Sequence, residues 1–322
     1  MRISFLIATA ALATASLASA QSFPTRAVTM VVPVPPGGAV DVTARAVADE
    51  MSKRLGQPVV VDNKAGASGM LGAQLVARAV PDGHTILLTH GAPILNAPFV
   101  FAKVPYQPRK DFAFVTQVAT SDLLLVVGKD VPARNLKEFL AWAEQNKGKL
   151  SYGSFGAGSV GHLMSAYLVD SRKLDMTHVP YKGEAPLAQD IIGGNVPWGM
   201  TSLAAVAPHI ASGRVRALAV VGQKRFRDLP EVPTMAEAGF PEPEFKAVGW
   251  LGLLAPAGTP APVLERLEKE ARAAIDSPAV RARFQVFGFQ GLGGSSQQFR
   301  QVFDQSVPVI EKLVRTAGVK AE

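Results

Sequence analysis

The chain has 322 residues, enough for two domains, with 48% hydrophobic and 18% charged residues, a balance that excludes a disordered or nucleic-acid-wrapping chain. Its net charge is +7, falling to +6 if a leader carrying Arg2 is removed, and its basic residues are scattered, so no nucleic-acid partner is expected. It contains no cysteine, which rules out a lipoprotein anchor, disulfides, thiolate metal sites and cysteine nucleophiles.

Residues 1–20 read as a secretory signal peptide. Arg2 provides the positive start, residues 5–17 form an apolar run of thirteen, and Ala18-Ser19-Ala20 supplies the small residues needed for cleavage after Ala20. A spanning helix needs about 20 apolar residues, so the run is too short for an anchor. The expectation is a soluble, monomeric periplasmic protein.

After the leader, short apolar runs alternate with helix-length periodic segments. Residues 29–32 read as a strand. Ala44, Val47, Ala48, Met51 and Leu55 recur at helical spacing, and Gly56 stops that helix. Strand 58–61, helix 69–80 and strand 85–88 follow. A second series begins with strand 123–127, helix 135–145, strand 150–153 and helix 159–169. Strand 177–179, helix 185–192 and strands 197–200 and 215–221 complete it. The alternation predicts parallel βαβ units in both halves. A proline-rich stretch spans 229–243, then a strand at 250–254 and three amphipathic helices at 260–275, 278–287 and 295–317. Packing this tail back on the first half would make that domain discontinuous, with 21–121 and 247–322 in one lobe and 122–246 in the other. The crossovers near 118–123 and 247–254 would then form a hinge. The predicted fold class is α/β, a two-lobed closing receptor.

Four turn-rich loops sit after predicted strands. They carry Pro36, Gly37, Gly38 and Asp41; Gly66, Ala67, Ser68 and Gly69; Gly156, Gly158 and Ser159; and Tyr181, Lys182 and Gly183. In open parallel sheets ligands bind beyond the carboxyl ends of the strands. Glycine allows close backbone approach, and the unpaired N–H groups of the following helix suit an anion such as a carboxylate. His90 lies beside such a loop as a further lining candidate.

Catalytic readings fare worse. Gly156-x-Gly158-x-x-Gly161 fits the dinucleotide fingerprint literally but lies mid-chain in an exported protein. Ala157-x-Ser159-x-Gly161 falls one residue short of a nucleophile elbow, and no histidine follows His209 to serve as a distant base. His84, His90, His162, His178 and His209 form no pair at metal-ligand spacing. No enzyme activity, metal or cofactor is expected.

The ordered motifs are more specific than any one loop. They include Val31-Val32-Pro33, Pro36-Gly37-Gly38-x-x-Asp41, Leu55-Gly56-Gln57-Pro58, Asn63 with Gly66-Ala67-x-Gly69, and Pro81-Asp82-Gly83. Later come Gly156-x-Gly158-Ser159-x-x-His162, Val179-Pro180-Tyr181-Lys182-Gly183, Val232-Pro233-Thr234-x-x-Glu237-Ala238-Gly239 and Ala255-Pro256-x-Gly258-Thr259-Pro260. On these the mature chain resembles the Bug-type solute receptors of tripartite tricarboxylate transporters over nearly its whole length. The resemblance implies a venus-flytrap fold whose pocket lies between the first two loops and the second two. It also implies a carboxylate held by backbone N–H groups and waters, without arginine, and delivery to integral-membrane transporter subunits. Thr201 stands where an acidic residue is frequent in that family, which points to a ligand without an ammonium group. The alternative role is a ligand-sensing receptor docking on a sensor protein.

Overall fold

The computed structural model describes residues 23–246 and 249–318. The leader at 1–20, its cleavage site and residues 247–248 at the second crossover lie outside the described residues.

The first lobe opens with β1 (Val28–Val32), α1 (Ala39–Leu55), β2 (Val59–Asn63), α2 (Met70–Ala77) and β3 (Thr85–His90). β1 is the Val-Thr-Met-Val-Val run, buried on both faces as an interior parallel strand requires. α1 buries Ala44, Val47, Ala48, Met51 and Leu55, the predicted stripe, and ends on Gly56 at φ 71°, where a side chain would be strained. A π-helical turn (Ala92–Asn96), α3 (Ala97–Val100), α4 (Pro108–Asp111) and the ten-residue β4 (Phe112–Ser121) complete this passage.

The second lobe runs β5 (Leu123–Gly128), α5 (Leu136–Gln145), β6 (Ser151–Ser154), α6 (Val160–Ser171) and β7 (Thr177–Pro180). It continues with α7 (Glu184–Gly193), β8 (Trp198–Ser202), α8 (Leu203–Ala211) and β9 (Val215–Val221). The chain then returns through β10 (Gly249–Pro256), α9 (Ala261–Ile275), α10 (Pro278–Phe287), β11 (Phe289–Gly291) and α11 (Ser296–Ala317).

Two sheets result, ordered β11-β4-β10-β3-β1-β2 and β7-β6-β8-β5-β9. The predicted parallel βαβ units are present in both lobes, within sheets that also contain antiparallel strands. β1 pairs in parallel with β2 and β3, and β6 with β7 and β8, but β10 runs antiparallel to β3 and β4, and β5 antiparallel to β8 and β9. The cause is the crossing itself: β4 and β9 carry the chain out of their lobes while β10 and β5 bring it in, so each pair runs in opposite senses. The connection from β1 to β2 goes one way along its sheet and that from β2 to β3 goes the other, as do those from β6 to β7 and from β7 to β8, which puts switch points at β1 and β6.

α11 starts on a capping box formed by Ser295 and Gln298 and packs against β4 of the first lobe and α6 of the second. Phe299 and Phe303 meet Phe114 on β4, with ring centroids 5.0 Å apart in each case. Farther along, Lys312 pairs with Glu244 and lies over the Tyr167 ring of α6. Between these two anchorages stands Pro308, which removes the helical hydrogen bond to the Asp304 carbonyl.

The first crossover is the single residue Asp122 between β4 and β5. It is 4% exposed, accepts a 2.7 Å hydrogen bond from Gln290 Nε2 on β11, and lies so close to Gly222 that a Cβ there would come within 2.6 Å of its Cγ. Burial pushes its carboxyl up to about 7. A folded-state value above the unfolded one means that the stability Asp122 contributes in acid is lost as pH rises from 3.8 through about 7. Asp122→Asn keeps an acceptor for Gln290 without the charge. It is expected to raise stability at pH 8 by on the order of 2 kcal/mol, with the gain shrinking toward pH 5, as read by denaturant unfolding at the two pH values.

Candidate functional site

A cleft of about 930 Å³ lies between the two sheets. From the first lobe it is lined by Gly37, Gly38, Ala39 and Val40 at the start of α1, by Ser68, and by His90. From the second it is lined by Gly156, Gly158 and Ser159 before α6, and by Glu184 and Gln189 of α7.

The α1 loop is shaped by Asp41, which does not face the cleft. Its carboxylate, 2% exposed, accepts from Gly37 N–H at 2.8 Å, Arg45 Nε at 3.1 Å and Asn63 Nδ2 at 2.8 Å. Burial pushes its pKa up, but Arg45, the Gly37 N–H and Asn63 outweigh that and hold it below the ordinary aspartate value. The loop is thus tied to β2 through Asn63, and the arginine offsets the local negative charge. Gly37 sits at φ 91°, which only glycine adopts readily, whereas Gly38 has an ordinary extended backbone and open space where a Cβ would go. The need for glycine conformational freedom therefore belongs to Gly37. Gly38 has no side-chain cap, so the first-turn N–H groups of Ala39 and Val40 keep the partnerless state of any helix start.

The loop after β2 is more strained. Gly66, Ala67, Ser68 and Gly69 all have positive φ, two of them without being glycine. Only Ser68 of the four lines the cleft.

Across the cleft, Ser159 caps α6 by accepting from His162 N–H at 3.2 Å, and Gly158 N–H donates to His162 Nδ1 at 3.1 Å. The Ser159 hydroxyl proton remains available to a ligand. Behind the loop the His162 and His178 rings stack with centroids 3.7 Å apart, Tyr152 stacks on His178 at 5.1 Å, and the Ser154 hydroxyl meets His178 Nε2 at 2.7 Å. Burial, with a smaller repulsive contribution from His178, pushes the His162 pKa down to about 4. A neutral ring is what the geometry needs, because only an unprotonated Nδ1 accepts the Gly158 N–H.

The remaining expected residues sit elsewhere. Pro36, Gly66, Ala67 and Gly69 flank the lining positions. The Tyr181 hydroxyl donates to Asp190 at 2.7 Å, and neither Tyr181, Lys182 nor Gly183 is among the lining residues. Glu184, one position beyond that loop, does line the cleft, and its carboxylate accepts from both the N–H and the hydroxyl of Ser202 at 3.0 and 2.6 Å. Thr201 is fully buried on β8 and does not line the cleft. The acidic group of the cleft comes from α7, a position that no glycine signal marks. Sequence reading also missed Asn96, Trp250, Phe155 and Phe289 as lining residues. Asn96 and Trp250 are buried polar side chains inside apolar runs, where nothing in the pattern separates them from core.

Stability should follow the His162 ring in acid. Below pH 6.5 the unfolded chain takes up a proton that the folded chain refuses until about pH 4, so stability falls as pH drops through that window and levels off beneath it. His162→Gln, scanned in parallel by thermal unfolding from pH 7 to 4, is expected to lose stability less steeply than the parent. Equal slopes would show that the ring does not titrate on unfolding.

The model of the family described as "Tripartite tricarboxylate transporter family receptor" matches residues 43–319. A UPF0065 protein in the tcbD-tcbE intergenic region of Pseudomonas sp. (strain P51) is 41% identical over 293 residues, covering 91% of this chain and 87% of that protein. Among solved structures, the periplasmic binding protein BugD superposes with a TM-score of 0.77 at 35% identity, covering 93% of this chain and 100% of that one. The R. palustris protein Rpa4515 with adipate gives a TM-score of 0.80 at 33% identity over 92% of this chain and 99% of that one. The chain belongs to the tripartite tricarboxylate transporter receptor family.

Proposed function

We propose that this protein is a periplasmic receptor that captures a small organic carboxylate between its lobes, closes on it and delivers it to the membrane subunits of a tripartite transporter. One observation carries the reading. Each sheet sends a glycine-bearing loop from its switch point into the same cleft, and each loop opens a helix, α1 from one lobe and α6 from the other. Two helix starts facing one space offer backbone donors and partial positive charge to a single anion without any cation. The adipate in the similar R. palustris structure is a carboxylate of this kind.

In this reading residues 1–20 are removed on export, with cleavage after Ala20, and the mature chain works as a monomer. Residues 21–121 and 247–322 form one lobe, and 122–246 the other. The α1 loop and Ser68 hold the carboxylate in the open form, and Ser159 adds its hydroxyl on closure. The reading assigns no catalytic residue.

A screen of mono- and dicarboxylates by thermal shift tests the ligand class. A ligand at ~100 times its Kd adds about 2.7 kcal/mol of stability, which raises the melting temperature by several degrees. No shift with any carboxylate would overturn the reading. Ser159 calls for glycine rather than alanine, because alanine also costs about 1 kcal/mol of helix capping whereas glycine costs only a few tenths. Ser159→Gly is expected to lose one hydrogen bond to a charged group, roughly 1.5–3 kcal/mol, chiefly as faster release in stopped-flow. Gly38→Val should still fold, losing on the order of 1 kcal/mol because valine is a poorer N-cap than glycine, and bind far more weakly than that loss explains, since its side chain enters open space beside the α1 donors. Unchanged binding in both variants would place the site elsewhere.

A further inference from the structure

The two helix starts account for only one end of the cleft. Along the first-lobe sheet the strand order runs β2, β1, β3, β10, so beyond the α1 loop come His90 at the end of β3 and Trp250 near the start of β10. Neighbouring strands are about 4.8 Å apart, which puts Trp250 on the order of 10 Å from the loop that follows β1. Three polar atoms in this part of the wall are buried without a hydrogen-bond partner: Trp250 Nε1, Asn96 Nδ2 and His90 Nδ1. Trp250 is 1% exposed and Asn96 4% exposed, and all three residues line the cleft. Other buried polar atoms of the described residues also lack a partner, but these three belong to residues that share one wall of the cleft, where a ligand can supply the missing acceptor.

These groups are held in position. The Trp250 ring packs edge-on against Phe299 with centroids 5.0 Å apart. Gly91 lets the indole lie against the backbone, since a Cβ there would stand 3.4 Å from Nε1. Asn96 closes the π-helical turn, a backbone irregularity that recurs at functional sites. The surrounding wall is apolar, with Leu95, Val100 and Phe101.

We propose that Trp250, Asn96 and His90 form a second subsite that binds an uncharged hydrogen-bond acceptor at the far end of the ligand, so that the protein prefers monocarboxylates with a neutral polar terminus to dicarboxylates. This rests on the reading of the α1 and α6 loops as the carboxylate site. The indole N–H can only donate, and the Asn96 amide offers a second donor. Among the described residues lining the cleft there is no lysine or arginine, and the one carboxylate side chain, Glu184, stands on the second-lobe wall. A second carboxylate would bring a full charge to neutral donors in an apolar surround with no cation to offset it. A carbonyl of the same shape meets the same donors without that cost.

Isosteric acids separate these cases. Calorimetry on the mature protein at pH 7.5 would compare adipate, adipamate and 6-methylheptanoate, and in parallel terephthalate, 4-carbamoylbenzoate and 4-isopropylbenzoate. In at least one series the amide acid is expected to bind at least tenfold tighter than both its diacid and its apolar counterpart, roughly the worth of one well-made hydrogen bond. Trp250→Phe and Asn96→Leu should each narrow the ratio of amide to apolar affinity by about that factor. Asn96→Leu and the parent's own selectivity stand if Trp250→Phe fails to fold. Diacids binding as tightly as the amide acids, or a ratio unmoved by both variants, would overturn the subsite while leaving the carboxylate site standing. Failure of all six acids to bind would overturn both.

Discussion

An anion taken into a cleft without a cation has to be paid back in hydrogen bonds that were waiting for it. Among the described residues lining this cleft there is no lysine or arginine, so in the proposed mode of binding the donors are main-chain N–H groups at two helix starts and a few neutral side chains. Such donors are useful only if they are fixed before the ligand arrives, because reorganising them on binding would consume what they contribute. Much of the local structure serves that requirement. Asp41 is a first-turn carboxylate turned away from the cleft to fold the Gly37 loop, with Arg45 and Asn63 holding it there. On the other side a stack of His162, His178 and Tyr152 backs the loop before α6, and the neutral imidazole accepts the Gly158 N–H.

Glu184 fits the same logic. The starts of α7 and α8 would also attract an anion, but the Glu184 carboxylate already occupies that position by bonding Ser202 at the cap of α8. An internal carboxylate there leaves α1 and α6, one from each lobe, as the donors for an external one. In the proposed mode of binding, a helix start in each lobe would couple ligand capture to lobe position, since both sets of donors reach one carboxylate only at one separation. The connection between β4 and β5 is the single buried residue Asp122, wedged against Gly222 and bonded to Gln290. α11 adds a further tie across the lobes, interrupted at Pro308 between its contacts to β4 and to α6.

Much of this architecture could be read from residue order. Apolar runs such as Val28–Val32 and the Ala44–Leu55 stripe have periodicities that admit one interpretation, and a glycine loop between a strand end and a helix start, as at Gly37 and Gly156 to Gly158, points to the cleft because ligands bind beyond the carboxyl ends of parallel strands. The strands beside the crossover were harder. β4 mixes Thr116, Gln117 and Thr120 with its apolar residues, and its direction depends on which lobe the chain is leaving, a tertiary fact. The glycine signal also lacks resolution: it marked Tyr181 to Gly183, whereas the cleft is lined by Glu184 just beyond. Thr201 had the same difficulty in reverse, since strand alternation decides whether it or Ser202 faces the cleft, and a one-residue shift changes the face. Asn96 and Trp250 were invisible because their significance is that their partners are missing, which only the packed structure reveals.

In the proposed mode of binding one carboxylate is shared between the starts of α1 and α6. A crystal structure of the mature protein grown with the tightest-binding carboxylate tests it most directly. The expected result is a closed form with the carboxylate oxygens about 3 Å from first-turn N–H groups of α1, directly or through one water, and within reach of the Ser159 hydroxyl. A carboxylate lodged against surface lysine or arginine side chains, or held by one lobe alone in a closed protein, would contradict it.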